Sequence, residues 1–400
     1  MSLNQTPAAN RLHIGFFGKR NSGKSSLINA FTGQEVSIVS DVAGTTTDPV
    51  YKPMEIHGLG PCTLIDTAGF DDVGALGESR IVKTRLAAEK TDIGVILFSG
   101  DDIAQELEQT RYFKEKGVPF VTVISRCDER DDAEIAATEE KIKKALGGTP
   151  IKVSAAHGSG IEALKEALIR SIPESFQSPD ITGNLVSEGD TVLLVMPQDI
   201  QAPKGRLILP QVQTMRELLD KKCIVLSCTT DKLDEALATL IAPPKLIITD
   251  SQVFRIVYAK KPQESMLTSF SVLFAAHKGD ISYYVESAAA IEALTEQSRV
   301  LIAECCTHAP LTEDIGREKI PALLRKRIGA GLTVDIMSGT DFPSDPTAYD
   351  LIIQCGACMF NRRYVLSRIE KARKAGVPMS NYGVVIAYLN GILDDITVSV

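Results

Sequence analysis

Two adjacent cysteines and a histidine lie in ECCTHAPLTED, residues 304–314, and a second thiol pair, CGAC, stands at Cys355 and Cys358. These are soft ligands, and three chemistries compete for them. A Cys₃His set would hold a structural zinc. Three thiolates with a weaker or absent fourth ligand would hold an iron–sulfur cluster. A C-x-x-C dithiol alone would do redox work. Ligand types and spacing leave zinc and iron–sulfur level. Far upstream, GKRNSGKSS fits G-x-x-x-x-G-K-[ST] at Gly18, Gly23, Lys24 and Ser25. The backbone N–H groups of such a turn, with Ser22 and Ser26 beside them, cradle phosphate oxygens. Lys24 reaches the outer phosphates and Ser25 holds Mg²⁺.

These residues need a frame. LHIGFFG reads as a strand entering the glycine-rich turn, and KSSLINAFTG as the helix leaving it. The strands CTLIDTAG, IGVILFSG and PFVTVISRCD then alternate with helical patterns, a βαβ rhythm that predicts a mostly parallel sheet over 10–172. PESFQSPDITGNLVSEGD, residues 173–190, reads as a linker. A small αβ block follows over 185–262, and its few strands bury so little core that pairing of two copies is expected. A third αβ block over 266–400 contains both thiol groups. RVLIAECC and DLIIQCGAC are read as strands there, and SFSVLFAAH and NYGVVIAYLNGIL as further strand-like segments. Thiols at the carboxyl ends of neighbouring parallel strands can meet despite their separation in sequence. Cys358 is placed at the start of a basic helix, whose N-terminus would favour its thiolate.

Composition sets outer limits. The 400 residues are 44% hydrophobic and 24% charged with a net charge of −8, which argues against broad electrostatic binding to nucleic acid. Neither a signal peptide nor the ~20 apolar residues of a membrane span is visible, so a cytoplasmic protein with reduced thiols is expected. Of the eight cysteines, Cys62, Cys223 and Cys228 fall in apolar strands and read as core. Cys305 is expected on the opposite strand face from its neighbour Cys306. Arg362, Arg363, Arg368, Lys371, Arg373 and Lys374 read as a solvated helix face, or a dock for an acidic partner.

Further motifs complete the nucleotide end. DTAG places Asp66 near the Mg²⁺ shell and the Gly69 amide near the γ-phosphate. GTTTD, 44–48, supplies a hydroxyl that completes metal coordination when the γ-phosphate is present. Phe70 stands where Ras-like enzymes keep a water-orienting glutamine, which predicts slow hydrolysis. In this order the motifs resemble the translation-factor-related GTPases of the Era and MnmE type. That resemblance implies Mg²⁺ binding by Thr46, potassium-stimulated hydrolysis through Asn21, and a potassium ion near Ser40, Val42 and Thr45. It also implies guanine reading by SRCD, where Asp128 accepts the base N–H groups and Arg126 stacks. The family's asparagine is here Ser125, which is expected to loosen the loop scaffold. Ser154 and Ala155 form the last base-contacting element.

The whole series, GTPase motifs followed by MPQDIQAPKGRLILPQVQTMRELLD, C-x-H and C-x-x-C, resembles the HydF family of FeFe-hydrogenase maturation. The resemblance implies a homodimer with three domains and a 4Fe-4S cluster on Cys306, Cys355 and Cys358. Gln354 occupies the position where many members carry a ligating histidine, which leaves His308 or Glu313 as candidate fourth ligand. It further implies that a di-iron precursor is carried to apo-hydrogenase after loading by the radical-SAM maturases HydE and HydG. Two other classes compete: a ribosome- or RNA-associated GTPase with a structural zinc, and a GTP-regulated redox enzyme.

Overall fold

The computed structural model describes residues 6–34, 49–69, 75–173, 176, 180–197, 207–305 and 315–398, with the backbone alone for 75–81. The chain divides into two compact units, 1–177 and 178–400.

The first unit is built on β1 (Leu12–Gly18), β2 (Val50–Ile56), β3 (Gly60–Asp66), β4 (Ile93–Phe98), β5 (Phe120–Ile124) and β6 (Ile151–Lys152). Between them run α1 (Lys24–Thr32), α2 (Ala75–Glu89), α3 (Ala104–Glu115), α4 (Asp132–Leu146) and α5 (Ile161–Arg170). The sheet order is β2-β3-β1-β4-β5-β6, and only β2 runs antiparallel. Side chains alternate across the strands. Phe16, Val95, Leu97 and Val123 therefore enter one core with Leu27, Leu164 and Leu168. Phe17, Ile96, Phe98 and Ile124 enter the other with Phe113 and Ile142. Parallel pairing puts the carboxyl ends of β1, β3, β5 and β6 along one edge, where ligands of such sheets bind.

The second unit holds two four-stranded parallel sheets. One, ordered β10-β9-β7-β8, uses β7 (Thr191–Val195), β8 (Ile224–Cys228), β9 (Leu246–Thr249) and β10 (Met266–Ser269). Its helices are α6 (Leu209–Asp220), α7 (Leu233–Ala238), α8 (Phe254–Lys260) and α9 (Phe270–Lys278). The other, ordered β12-β11-β13-β14, uses β11 (Arg299–Ala303), β12 (Thr333–Met337), β13 (Leu351–Gln354) and β14 (Met379–Asn381). Helices α10 (Ile281–Ala288), α11 (Ile320–Ile328), α12 (Arg362–Lys374) and α13 (Tyr382–Leu389) accompany it.

Two segments depart from the sequence reading for one reason. SFSVLFAAH is helix α9, and the strand before it, β10, closes the middle sheet rather than opening the third block. Most of NYGVVIAYLNGIL is helix α13. Each helix starts at a polar cap: Ser269 Oγ accepts from the Val272 N–H at 3.2 Å, and Asn381 Oδ1 accepts from the Gly383 N–H at 2.9 Å. Runs of valine, isoleucine and phenylalanine suggest strands, but a side-chain cap at the first turn decides for helix. The two helix starts also meet, since Ser271 Oγ in the first turn of α9 donates to the α13 cap at Asn381 Oδ1, 3.0 Å away. One hydrophobic cluster runs from Leu193 and Ile247 of the middle sheet through Leu301 and Ile353 to Ile396, so the two sheets share a core. No helix among the described residues is long and apolar enough to cross a membrane.

Candidate functional site

The turn after β1 is shaped by backbone needs. A Cβ on Gly18 would meet Ser22 Oγ at 2.6 Å and the Leu97 carbonyl at 3.0 Å. Asn21 and Gly23 both take positive φ, 57° and 86°, conformations that cost a side chain and that glycine adopts freely. Lys24 opens α1, and its ammonium donates to the carbonyls of Lys19 (2.7 Å) and Gly18 (3.0 Å). Ser25 Oγ donates to Asp66 Oδ2 at 2.7 Å, so the two expected Mg²⁺-side groups touch. Thr67 Oγ1 donates to the Phe16 carbonyl at 2.6 Å and pins the DTAG turn, with its buried Gly69, to β1.

At the end of β5, Ser125 contributes one tie to the loop scaffold. Its buried hydroxyl donates to the Ser22 carbonyl at 2.7 Å and so joins this loop directly to the phosphate turn. Arg126, at φ 57°, donates to the Asn21 carbonyl at 3.1 Å and pairs with Glu129 at 2.9 Å. Asp128 is exposed, and a hydrogen bond from Ser154 holds its carboxyl below the usual range. Ser154 Oγ in turn accepts the His157 N–H at 3.1 Å, which fixes the loop containing Ala155. The structure thus gathers Gly18, Asn21, Ser22, Gly23, Lys24, Ser25 and Ser26 with Asp66, Gly69, Arg126, Asp128, Ser154 and Ala155 along one sheet edge. Ser40, Val42, Thr45, Thr46 and Phe70 lie outside the described residues. One neighbour was missed in the sequence: Glu106 of α3 is fully buried 3.6 Å from the Lys19 ammonium, and burial raises its pKa. Nothing in its helical pattern marks it out.

The thiols occupy another pair of strand ends. β11 and β13 are neighbours, with Ala303 opposite Gln354. The Cys305 N–H donates to Cys355 Sγ at 3.1 Å. Cys305 is buried, and desolvation pushes its thiol well up. Cys306, His308 and Glu313 lie outside the described residues. Gln354 is buried, and its amide donates to Tyr284 Oη at 3.4 Å. Cys358 does not open the helix: α12 begins at Arg362 behind the cap Asn361, whose side chain accepts the Tyr364 N–H. Cys355 and Cys358 therefore flank a turn through Ala357, a non-glycine residue at φ 51°. Lys278 holds this turn. Its buried ammonium donates to the carbonyls of Phe360 (2.9 Å), Ala357 (3.1 Å) and Cys358 (3.4 Å).

A second correction concerns the basic helix. Arg373 and Lys374 are exposed, whereas Arg368 is only 1% exposed. Its Nη1 donates to Cys305 Sγ at 3.4 Å and Nη2 to the Gly339 carbonyl. The signal was present: Tyr364, Val365, Ile369 and Ala372 form the buried stripe of α12, and Arg368 stands in it. Cys62 and Cys223 are core residues as read, and burial pushes the Cys62 thiol up to about 12.

This edge of loops on a mostly parallel sheet is that of a P-loop GTPase domain, and residues 13–126 match the family model of 50S ribosome-binding GTPases. The tRNA modification GTPase MnmE of Nitrosomonas europaea is 35% identical over 156 residues, which cover 38% of this chain and 33% of that protein. GTPase Der of Wolinella succinogenes is 34% identical over 172 residues, covering 41% and 36%. The chain spans about a third of the length of these curated relatives. Among solved structures, Aquifex aeolicus Era bound to GDP·AlF₄⁻ aligns with 56% of this chain and 97% of its own at 18% identity, TM-score 0.37. The second unit is more particular. Residues 181–279 match the hydrogen maturase F dimerization domain and 282–397 its tetramerization domain. The chain belongs to the hydrogen maturase F (HydF) family.

Proposed function

We propose that the protein is a GTP-hydrolysing scaffold of hydrogenase maturation, which holds a 4Fe-4S cluster on Cys306, Cys355 and Cys358 and passes a di-iron precursor to apo-hydrogenase. The carrying observation is the joining of a phosphate-binding unit to hydrogen maturase modules in which two thiol-bearing strand ends abut. In the first unit, Lys24 would leave its carbonyls for the phosphates. Mg²⁺ would sit between Ser25 and Asp66, with Thr46 completing its shell. Asp128 and Arg126 would read guanine, Gly69 would sense the γ-phosphate, and a potassium ion near Asn21, Ser40, Val42 and Thr45 would supply positive charge.

The residues at the thiol end fit a cluster. Cys355 and Cys358 stand on a turn already organised by Lys278, and a buried guanidinium lies against Cys305. A bound cluster would supply soft iron centres, with a fourth position left to His308, Glu313 or an outside ligand. HydE and HydG would load the di-iron cargo, and GTP hydrolysis would gate the exchange of partners. The dimer would form through the middle sheet.

Anaerobic reconstitution with iron and sulfide tests the reading. The wild-type chain should turn brown and hold about four irons. Cys355→Ala and Cys358→Ala should lose the cluster, and Cys62→Ala should keep it. Lys24→Ala should lose nucleotide affinity while still taking up iron. Stoichiometric zinc with no iron uptake would sink the scaffold reading and favour a ribosome-linked GTPase, to which only the match over 13–126 points.

A further inference from the structure

Arg368 has no ordinary reason to be charged where it stands. It is 1% exposed, and among the described residues no carboxylate lies within ion-pair distance of it. Its Nε finds no acceptor there. Its Cζ lies 5.0 Å from the ring centroids of Phe342 and Tyr364 and 5.1 Å from that of Phe360. These π-faces recover part of the lost hydration, yet a buried charge without an anion remains costly. The guanidinium gives Nη2 to the Gly339 carbonyl and Nη1 to a thiol. Nη1 meets Cys305 Sγ, and Cys305 in turn gives its N–H to Cys355 Sγ. A second buried cation, Lys278, grips the backbone of the same 355–360 turn. Thiolates bound to a metal–sulfide core carry net negative charge, which Arg368 does not find in any described carboxylate.

We propose that Arg368, with Lys278, is the built-in counter-charge of the thiol site, placed to neutralise a negatively charged thiolate-bound metal–sulfur group and to raise its reduction potential. This rests on the iron–sulfur reading above. Adding an electron adds negative charge, so a nearby fixed cation favours the reduced form. Removing the cation moves the potential downward. The same logic links occupancy to stability. Without the group the guanidinium is a liability; with it the charge is compensated.

The test uses the full chain as wild type, Arg368→Lys, Arg368→Gln and Arg368→Met, reconstituted anaerobically with iron and sulfide. Midpoint potentials come from titrations followed by electron paramagnetic resonance. Melting temperatures are taken before and after loading. Gln and Met should load but shift the potential to more negative values, with Lys near wild type. Loading should raise the melting temperature less in Gln and Met than in wild type. If Met does not fold, the Lys–Gln pair carries the same comparison. Equal potentials in all variants, or an equal loss of melting temperature with and without the cluster, would overturn the proposal and show a packing role alone. A wild-type chain that takes up no iron would instead overturn the scaffold reading.

Discussion

Ser125 ties the base-reading loop to the phosphate turn through one hydroxyl. Its bond to the Ser22 carbonyl is buried, so Ser125→Ala leaves that acceptor without this donor at a cost of about 1–3 kcal/mol. The phosphate turn and the base loop lose their direct tie, and binding of a non-hydrolysable GTP analogue should weaken by roughly tenfold. Ser125→Asn should restore most of it. Calorimetric titration decides, and an unchanged dissociation constant in the alanine variant would show the bond to be idle. Roles of this kind were partly legible beforehand. The glycines, Lys24, Ser25 and Asp66 follow from backbone geometry that the motif itself specifies. The burial of Arg368 follows from its place in the apolar stripe of α12, but its bond to Cys305 and the hold of Lys278 on the 355–360 turn were not legible, because they join residues far apart in the sequence.

At the level of elements, the middle sheet has one covered edge and, among the described residues, one open one. The Thr397 N–H donates to the Leu267 carbonyl at 2.7 Å, so the C-terminal segment shields β10. At the opposite edge no described strand pairs with the outer side of β8, and Ile224 is 60% exposed and Leu219, at the end of α6, 50% exposed. An open apolar edge invites a second copy. Ile224→Lys should therefore convert a dimer to a monomer in light scattering, with circular dichroism unchanged. A dimer that survives this change must use another surface. The strand rhythm of the sequence foretold three sheets, because buried parallel strands read as plain apolar runs. It misassigned α9 and α13, whose apolar composition hides the polar caps at Ser269 and Asn381 that start them.

In the molecule as a whole, the boundary of cooperativity falls after the GTPase unit rather than between the two later sheets. The cluster joining Leu193, Leu301 and Ile396 makes the second unit one folding entity. A fragment of residues 178–400 should melt in a single transition, reported alike by far-ultraviolet and tyrosine signals. A fragment of 178–280 should be markedly less stable, since it loses the part of the shared core supplied by Leu301, Ile353 and Ile396. Two separated transitions in the longer fragment would contradict the shared core.

The Lys278 clasp has one more consequence. The carbonyls of Ala357, Cys358 and Phe360, in and just past the turn between the thiols, are all held by the protein's own ammonium, so the shape of this turn is supported by protein contacts alone. Small metal domains that fold only around their ion are destroyed when it is removed. On the iron–sulfur reading proposed above, a chelator should therefore remove the iron and leave this turn folded, with circular dichroism unchanged.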